Sequence, residues 1–291
     1  MNFDSSRRSS FKKMILGGAA MGSLASFDWK EGNAPLQLKG NINHGVCAWT
    51  MPSLSLDELC VAVKKIGFNA IDLVGPKGWD TLKAHDLECS MCNGAELGIP
   101  KGWNDPQYHE ELIKNYTELI PEVAKYGYKN LICFSGNRNG MDDETGMKNC
   151  ADGLKKIIGI AEKHGVIIQM ELLNSKVNHK DYMCDLSPWG IELCKMVGSE
   201  NFKLLYDIYH MQIDEGDIIR SIQTNHQYFG HYHTAGNPGR NELDENQEIN
   251  YPAVMKAIVA TGYKGYVSHE FIPKQEDKIA ALAQAVQVCD V

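Results

Sequence analysis

Short apolar runs and amphipathic helical patterns alternate eight times between residues 41 and 291 of this chain. The runs are rich in Ile, Val, Leu and aromatic residues and cover 42–47, 69–74, 87–93, 130–136, 166–171, 202–207, 228–233 and 265–270. Strands that alternate with helices in this way pair in parallel, so the pattern predicts a single α/β domain, a closed (β/α)8 barrel of the TIM type. An open doubly wound sheet is the alternative, and it is disfavoured because no GxGxxG or P-loop sequence follows the first run.

Helical patterns fill the intervals between the predicted strands. The longest covers about residues 108–126 and follows a polar loop. Between the fourth and fifth strands we expect a loop rich in Gly, Asn and Asp and then one helix, 154–165, with its apolar residues on one face. After the sixth strand the pattern predicts a helix at about 217–225, and the chain ends in a helix at about 277–288.

Four predicted strands in succession end in a side chain that can bind a metal ion. These side chains are Glu171, Asp207, His233 and Glu270. All strand carboxyl ends of a parallel barrel open onto one face, so we expect the four to converge there. Three converging carboxylates repel one another in a partly desolvated site unless a cation compensates them. An aspartate after a strand is also commonly a helix N-cap, which is the other interpretation of Asp207.

The predicted ligand set has three oxygen donors and one imidazole. This set suits Mn²⁺, which we prefer, and also Mg²⁺ or Co²⁺, and it tolerates Zn²⁺ or Fe²⁺. A single divalent ion that chelates adjacent carbonyl and hydroxyl oxygens acidifies the C–H bond between them and stabilises the resulting enediolate. Glu171 and Glu270 are the candidate catalytic pair, one acting as base and the other as acid, while Asp207 and His233 are mainly ligands.

Further residues are candidates for binding the substrate. Arg240, in the sequence NPGR, is placed to hold an anionic or polyhydroxyl end of the substrate, although a charge on a surface loop is the alternative. Asn174 and His179 follow Glu171 and are expected to line the site or to satisfy backbone groups of their loop. Trp103 and Trp49 could form an apolar wall, and packing in the core is equally expected of each.

Five stretches carry a family resemblance: MELLNSKVNH, LLYDIYHMQ, GHYHTAGNPGR, EINY and SHEF. Through them residues 41–273 resemble the hydroxypyruvate isomerase group of the xylose-isomerase-like barrel superfamily. In the related ketose epimerases Glu, Asp, His and Glu hold a divalent metal, and the resemblance places these ligands on the four strand-end residues. It also implies that His210 and Arg240 contact the substrate. Some hydroxypyruvate isomerases have Gln where His233 stands, so this ligand set leans towards the sugar epimerases.

Three functions are compatible with these observations. The first is an isomerase or epimerase that acts on hydroxypyruvate (giving tartronate semialdehyde) or on a free ketose, including a ketose 3-epimerase. The second is a phosphodiesterase like the abasic-site endonucleases, which needs several zinc ions and a basic groove. The third is a periplasmic sugar lyase or binding protein. The net charge of −8 and the pI near 5.7 argue against a nucleic-acid partner, so a small-molecule substrate is favoured. A homo-oligomer is compatible with the sequence.

The first forty residues differ from the rest of the chain. Residues 1–25 contain paired arginines, further basic residues and then the apolar sequence MILGGAAMGSLA, which is the order typical of an export signal. The paired arginines with a following phenylalanine resemble a twin-arginine signal, which predicts a periplasmic protein. A disordered basic tail on a cytoplasmic protein is the alternative. Residues 26–40 are expected to be a linker, and no membrane span is expected in the mature chain.

The nine cysteines lack the spacing of a disulfide framework and mostly stand within apolar runs. We expect free, buried thiols. Cys89 and Cys92 form a CxxC sequence with no second pair and no ligand histidine nearby, so a structural role is expected for them.

Overall fold

The computed structural model describes residues 34–291, so the predicted export signal and most of the predicted linker lie outside the described residues. Within the described part of the chain, eight strands form one parallel sheet. The strands are β1 Asn43–Cys47, β2 Ala70–Asp72, β3 Glu88–Cys89, β4 Asn130–Cys133, β5 Ile167–Glu171, β6 Phe202–Asp207, β7 Phe229–Thr234 and β8 Tyr266–His269.

Ten α-helices accompany the strands in the same described segment. They are α1 Leu56–Ile66, α2 Pro76–Ala84, α3 His109–Lys125, α4 Asp143–Leu154, α5 Ile158–His164, α6 Ser187–Val197, α7 Ile208–Asp214, α8 Ile218–Asn225, α9 Tyr251–Ala260 and α10 Lys278–Cys289. None of the described helices is long and apolar enough to cross a membrane.

The strand order shows how the sheet becomes a barrel. Neighbouring strands run β3, β2, β1, β8, β7, β6, β5, β4, so the first strand pairs with the last. A parallel bridge between Cys92 and Leu131 joins the segment after β3 to β4. There the Cys92 N–H donates to the carbonyl of Asn130 at 2.8 Å, and the Ile132 N–H donates to the carbonyl of Cys92 at 3.0 Å. The prediction of a single α/β barrel with eight parallel strands is therefore confirmed.

Local sequence signals set the ends of several elements. Helix α1 begins after Ser55, whose hydroxyl accepts a hydrogen bond from the Glu58 N–H, while the Glu58 carboxylate accepts one from the Ser55 N–H. The helix ends at Gly67, whose φ of 113° is the left-handed conformation that glycine adopts without strain. Both signals can be read directly from the sequence.

Two helical segments differ from the expectation. The single helix predicted at 154–165 is two helices, α4 and α5, and α4 begins eleven residues before that range, at Asp143. Asp142 caps α4 by accepting a hydrogen bond from the Thr145 N–H at 2.8 Å, so much of the expected loop is helical. The helices are separated at 155–157, where Lys156 and Ile157 donate to carbonyls three residues earlier rather than four.

The second difference lies directly after β6. The short helix α7 follows this strand without a loop, although no helix was expected before residue 217. Asp207 caps α7, because its Oδ1 accepts a hydrogen bond from the His210 N–H at 3.1 Å. The alternative interpretation of Asp207 as a helix N-cap is therefore correct, and it leaves the second oxygen of the same carboxylate for another partner.

All nine cysteines are free and buried, as expected. Cys89 and Cys92 belong to the packed core, and the Cys89 thiol donates to the carbonyl of Met91 at 3.2 Å. Burial raises the pKa of Cys92 well above its ordinary value, which keeps this thiol protonated and unreactive at neutral pH.

Candidate metal and active site

The four predicted strand-end residues meet at one end of the barrel. Glu171, Asp207, His233 and Glu270 each offer a ligand atom, and these atoms all lie within 4.8 Å of one another. We call these four residues the ligand cluster. Every member is buried. Their roles as ligands and catalysts stay predictions, but the structure brings the four side chains together.

The register of the sheet explains this convergence. Strand β6 pairs with β7 so that Asp207 lies beside His233, after a register shift at Leu204 and Leu205 that skips Gly230. A side chain at Gly230 has no room, because a Cβ there would lie 2.7 Å from the Gln169 Oε1 atom. The shift sets which residues of β7 lie level with the end of β6.

The Glu270 carboxylate is held by the side chains of Arg240, His233 and Trp49. Its Oε2 atom lies 2.5 Å from Arg240 Nη2 and 3.1 Å from His233 Nδ1, and its Oε1 accepts a hydrogen bond from Trp49 Nε1 at 2.8 Å. Burial by itself would raise the pKa of this carboxyl. The positive charges of Arg240 and His233, with the hydrogen bonds from His233 and Trp49, outweigh burial and hold the pKa of Glu270 well below its ordinary value.

The pKa values of Glu171 and Asp207 are shifted in the opposite direction to that of Glu270. Burial, and then the charge of Glu270, raise the pKa of Glu171, and the same two causes raise the pKa of Asp207 to about 8. Two oxygen atoms of these residues, Glu171 Oε1 and Asp207 Oδ2, are buried and accept no hydrogen bond from the described part of the chain. Buried carboxylate oxygens without a donor are costly, and a divalent cation would satisfy both. The residues present therefore fit a metal ion.

Two other groups of possible ligands adjoin the ligand cluster. Cys47 lies beside His233 and Glu270, and Asp72 lies beside His231 and His233. Burial raises the pKa of the Cys47 thiol well above its ordinary value, so it is a poor ligand at neutral pH. The Asp72 Oδ2 atom lies 2.8 and 2.9 Å from the two histidine nitrogens, which are hydrogen-bond lengths. The ligand cluster is thus the set best suited to a cation.

Three of the predicted substrate contacts form one group next to Asp207. The backbone N–H of Asn174 donates to His210 Nδ1 at 3.1 Å, so a neutral His210 carries its proton on Nε2. That nitrogen is buried, has no hydrogen-bond partner among the described residues and lies 3.6 Å from Asp207 Oδ2. The ring of half-buried His179 lies 5.2 Å from the ring of His210. Burial lowers the pKa of His210 well below its ordinary value, so the ring is neutral.

Arg240 lies between two aromatic rings at the edge of the ligand cluster. Its guanidinium carbon is 5.2 Å from the ring centre of Trp49 and 5.6 Å from that of Tyr209. Trp49 is 45% exposed, so it reaches the surface next to the site. Trp103, in contrast, is fully buried and packs against Tyr116 and His109. Packing is the role that these surroundings support for Trp103, and its contribution to substrate binding stays a prediction.

The sequence interpretation missed several residues at this site. Asp72, Cys47 and His231 lie within the barrel next to His233, and Tyr209 packs on Arg240. Asp72 could have been found, because it ends an apolar strand in the same way as Asp207 does. Tyr209 carries no such signal, since its contact depends on where the distant NPGR loop folds.

Comparisons with known proteins place the chain in a family. Residues 60–289 match the xylose isomerase-like TIM barrel family. The 2-oxo-tetronate isomerase of Cupriavidus necator is 33% identical over 114 residues, which are 39% of this chain and 43% of that protein. That match spans less than half of the relative's length. The hydroxypyruvate isomerase of Escherichia coli K12 is 28% identical over 225 residues, covering 72% of this chain and 84% of that protein.

Solved structures share the fold. An AP endonuclease of family 2 from Brucella melitensis superimposes with a TM-score of 0.74 at 22% identity, covering 83% of this chain and 97% of the other. The D-psicose 3-epimerase of Clostridium cellulolyticum H10, solved with D-tagatose, gives a TM-score of 0.70 at 17% identity, covering 86% and 97%. At these identities the likeness concerns the fold alone. The family match covers most of the sequence and agrees with the resemblance found in its motifs. The chain therefore belongs to the xylose isomerase-like TIM barrel family.

Proposed function

We propose that this protein is a metal-dependent isomerase that moves a proton between adjacent carbons of an α-hydroxycarbonyl compound, either hydroxypyruvate or a ketose. The observation that carries the proposal is the pair of buried glutamates, Glu171 and Glu270, that both lie close to one imidazole nitrogen. Their oxygens lie 3.2 and 3.1 Å from His233 Nδ1. The isomerases among the relatives support the reaction class.

The ligand cluster would hold one divalent ion, with Mn²⁺ preferred. A bound ion supplies positive charge that stabilises the negative charge developing on the substrate oxygens. Asp207 and His233 serve as ligands. Asp207 Oδ1 is fixed by its hydrogen bond from the His210 N–H, which directs the unpartnered Oδ2 towards the other carboxylates. The buried surroundings keep water from the reacting carbons.

The two glutamates have different tasks in this proposal. Glu270 is held ionised by Arg240 and His233, so it is suited to accept the first proton from the substrate. Glu171, whose pKa is raised by burial and by the charge of Glu270, is the partner that would return a proton at the neighbouring carbon. Two carboxyl groups with different pKa values would thus act in sequence.

A panel of substrates tests the proposal. Hydroxypyruvate, ketopentoses and ketohexoses are incubated with the Mn²⁺-loaded protein and the products are identified by NMR. We expect interconversion of at least one of them. Stoichiometric binding of a sugar without turnover would instead favour the binding-protein function, and cleavage of a carbon–oxygen bond would favour the lyase.

Ketose 3-epimerisation is the second candidate. His233 supports it, because the imidazole completes the Glu, Asp, His and Glu set expected of the ketose epimerases. The charge of the site also favours a neutral sugar over an anion. The ligand cluster contains three carboxyl groups, and the positive charge of Arg240 already pairs with Glu270. In the panel, inversion at carbon 3 of a ketose would establish epimerase activity.

Replacing Arg240 with alanine is expected to raise KM, with a smaller effect on kcat. The guanidinium would bind the substrate by a charge-assisted hydrogen bond rather than transfer its proton, and such bonds contribute about 1.5–3 kcal/mol, or about 10- to 100-fold in KM. Initial rates on hydroxypyruvate and on a neutral ketose check this, with the larger increase expected for the anion. A kcat loss as large as that of a glutamate variant would contradict a substrate-binding role for Arg240.

Metal affinity is expected to rise with pH up to about 8. Burial raises the pKa of Asp207 to about 8, so below that pH the metal-free protein holds a proton that a metal ion must displace. The same raised pKa means that the metal-free fold loses stability as pH rises from about 4 to 8, because over that range the carboxyl ionises in the unfolded chain but stays protonated in the folded protein. Calorimetric titration with Mn²⁺ in two buffers of different ionisation enthalpy measures the affinity and the released proton. Affinity independent of pH between 6 and 9 would contradict this assignment.

We also propose that the protein is exported and that residues 1–25 are removed. The order of basic, apolar and small residues in that segment supports the proposal. Intact-mass measurement on protein from its natural source is expected to give the shortened chain in the periplasmic fraction. A full-length chain in the cytoplasmic fraction would contradict export.

A further inference from the structure

Asp72 is a fully buried carboxylate in the interior of the barrel, beneath the ligand cluster. It ends strand β2 and lies in register with Cys47 at the end of β1. Its Oδ2 atom accepts hydrogen bonds from His233 Nε2 at 2.8 Å and from His231 Nε2 at 2.9 Å. Its Oδ1 atom accepts one from Ser90 Oγ at 3.0 Å. Both oxygens of this buried group are therefore satisfied by the protein itself.

The two ring nitrogens of His233 consequently face different partners. Nε2 faces Asp72, while Nδ1 lies 3.2 Å from Glu171 Oε1 and 3.1 Å from Glu270 Oε2. An ionised carboxylate only accepts hydrogen bonds, so the nitrogen that faces Asp72 must carry a proton. Without an ion both nitrogens face carboxylate oxygens, so the ring carries both protons and a positive charge. A metal ion would displace the Nδ1 proton, and the neutral ring would then keep its one N–H at Nε2 and present a lone pair from its other nitrogen. For His233 that nitrogen is Nδ1, the atom that points into the ligand cluster.

We propose that Asp72 is a positioning residue that keeps the proton of His233 on Nε2 and thereby presents Nδ1 to the metal ion. This inference rests on the proposed metal-dependent isomerase. A ligating histidine commonly donates its second N–H to a carboxylate, which fixes the orientation of the ring and strengthens the metal bond. The side-chain partners of Asp72 are His231, His233, Ser90 and Cys47, so it would act on the ion through His233.

Neighbouring residues hold Asp72 in place for this task. Ser90 fixes the second oxygen, and the serine itself lies 3.4 Å from Ser268 Oγ. His231 and His233 are two residues apart on β7, so their side chains project to the same side of the strand. Both can therefore reach the Asp72 carboxylate. Gly45 makes room for this polar layer, because a Cβ there would lie 2.4 Å from Ser268 Oγ.

The proposal predicts a specific loss of metal affinity. In Asp72→Asn the amide can donate a hydrogen bond to Nε2, which moves the imidazole proton to Nδ1 and removes the lone pair from the metal side. We expect Mn²⁺ affinity, measured by competition with a fluorescent chelator, to fall by about 10- to 100-fold. The matched control is Glu215→Gln, the same carboxylate-to-amide change at a partly buried residue that accepts hydrogen bonds from Ser187, outside the site. Its Mn²⁺ affinity is expected to stay close to that of the wild type.

A spectroscopic measurement on the wild type makes the test independent of how the variants fold. With ¹⁵N-labelled histidine and bound Mg²⁺, which is diamagnetic, we expect the His233 signals, assigned by their loss in His233→Gln, to show a protonated Nε2 and a non-protonated Nδ1. Protonation of His233 on Nδ1, or Asp72→Asn protein with unchanged Mn²⁺ affinity, would overturn the inference. A wild-type protein that binds neither ion at the ligand cluster would instead refute the proposed metal-dependent function.

Discussion

Replacing Glu270 or Glu171 with glutamine is expected to lower kcat by about 10²- to 10⁴-fold while the metal ion remains bound. Glutamine keeps the shape and one oxygen donor, but it cannot accept the proton. The loss therefore falls mainly on kcat rather than on KM. Because each glutamate is also a candidate ligand, the effect is expected at or above the upper part of that range. Steady-state kinetics with saturating Mn²⁺, with metal content measured on the same samples, separates loss of the base from loss of the ion.

Glu215→Gln is the matched control for these variants. Glu215 is a partly buried glutamate that accepts hydrogen bonds from Ser187 N–H and Ser187 Oγ, at 2.5 and 2.9 Å. We place it outside the site, so its glutamine variant is expected to lose some stability and to keep kcat. If Glu171→Gln and Glu270→Gln both keep nearly the wild-type kcat with metal bound, proton transfer by this pair is wrong. A binding or hydrolytic role for the site would then be the better explanation.

Removing the metal ion is expected to abolish turnover, and adding Mn²⁺ is expected to restore it. Positive charge at the developing oxyanion contributes several kcal/mol to the transition state, so its loss corresponds to about 10²-fold or more in rate. Without a cation, burial and the negative charge of Glu270 raise the pKa of Asp207 and of Glu171, so the ionised form of each is disfavoured. Activity and metal content after dialysis against EDTA, and after Mn²⁺ is returned, are the measurements.

Two variants test which group of residues holds the ion. Asp207→Ala removes a member of the ligand cluster and is expected to lower the metal content to the background. Cys47→Ala removes the thiol that lies 3.8 Å from His233 Nε2 and is expected to leave one ion per chain. Loss of the ion in Cys47→Ala together with its retention in Asp207→Ala would assign the site to the thiol-containing group. Full activity of metal-free protein would contradict metal dependence altogether.

The barrel and the ligand cluster were predictable because both follow from repeating local signals. Each strand is a short apolar run, and the parallel arrangement sends every strand's carboxyl end to one face. The residues that follow those runs, such as Asp207 and Glu270, therefore meet without any detailed knowledge of loop structure. Strand β6 was predicted with its observed limits, Phe202–Asp207, because its apolar run is bounded by polar residues on both sides.

Other features depend on contacts between distant parts of the chain. The cation–π contacts of Arg240 with Trp49 and Tyr209 join the NPGR loop to the segment after β1 and to helix α7, and no periodic pattern in the sequence predicts them. The start of α4 was missed because its Gly, Asp and Asn residues have low helix propensity, whereas the Asp142 cap and the packing of α4 on α6 stabilise it. Asp72 was missed for a different reason. Asp72 ends an apolar run in the sequence, but that feature indicates a functional role only once its hydrogen bond with His233 of β7 is known.

Turnover in D₂O tests the central claim, proton transfer through the glutamate pair, most directly. The Mn²⁺-loaded protein is kept with its substrate until equilibrium, so that each molecule reacts many times, and the product is analysed by NMR and mass spectrometry. We predict that deuterium accumulates at the carbon that receives the proton and that Glu270→Gln abolishes the incorporation. Complete conversion in D₂O with no deuterium in the product would contradict the claim, because a second glutamate that delivers the proton would have exchanged it with the solvent.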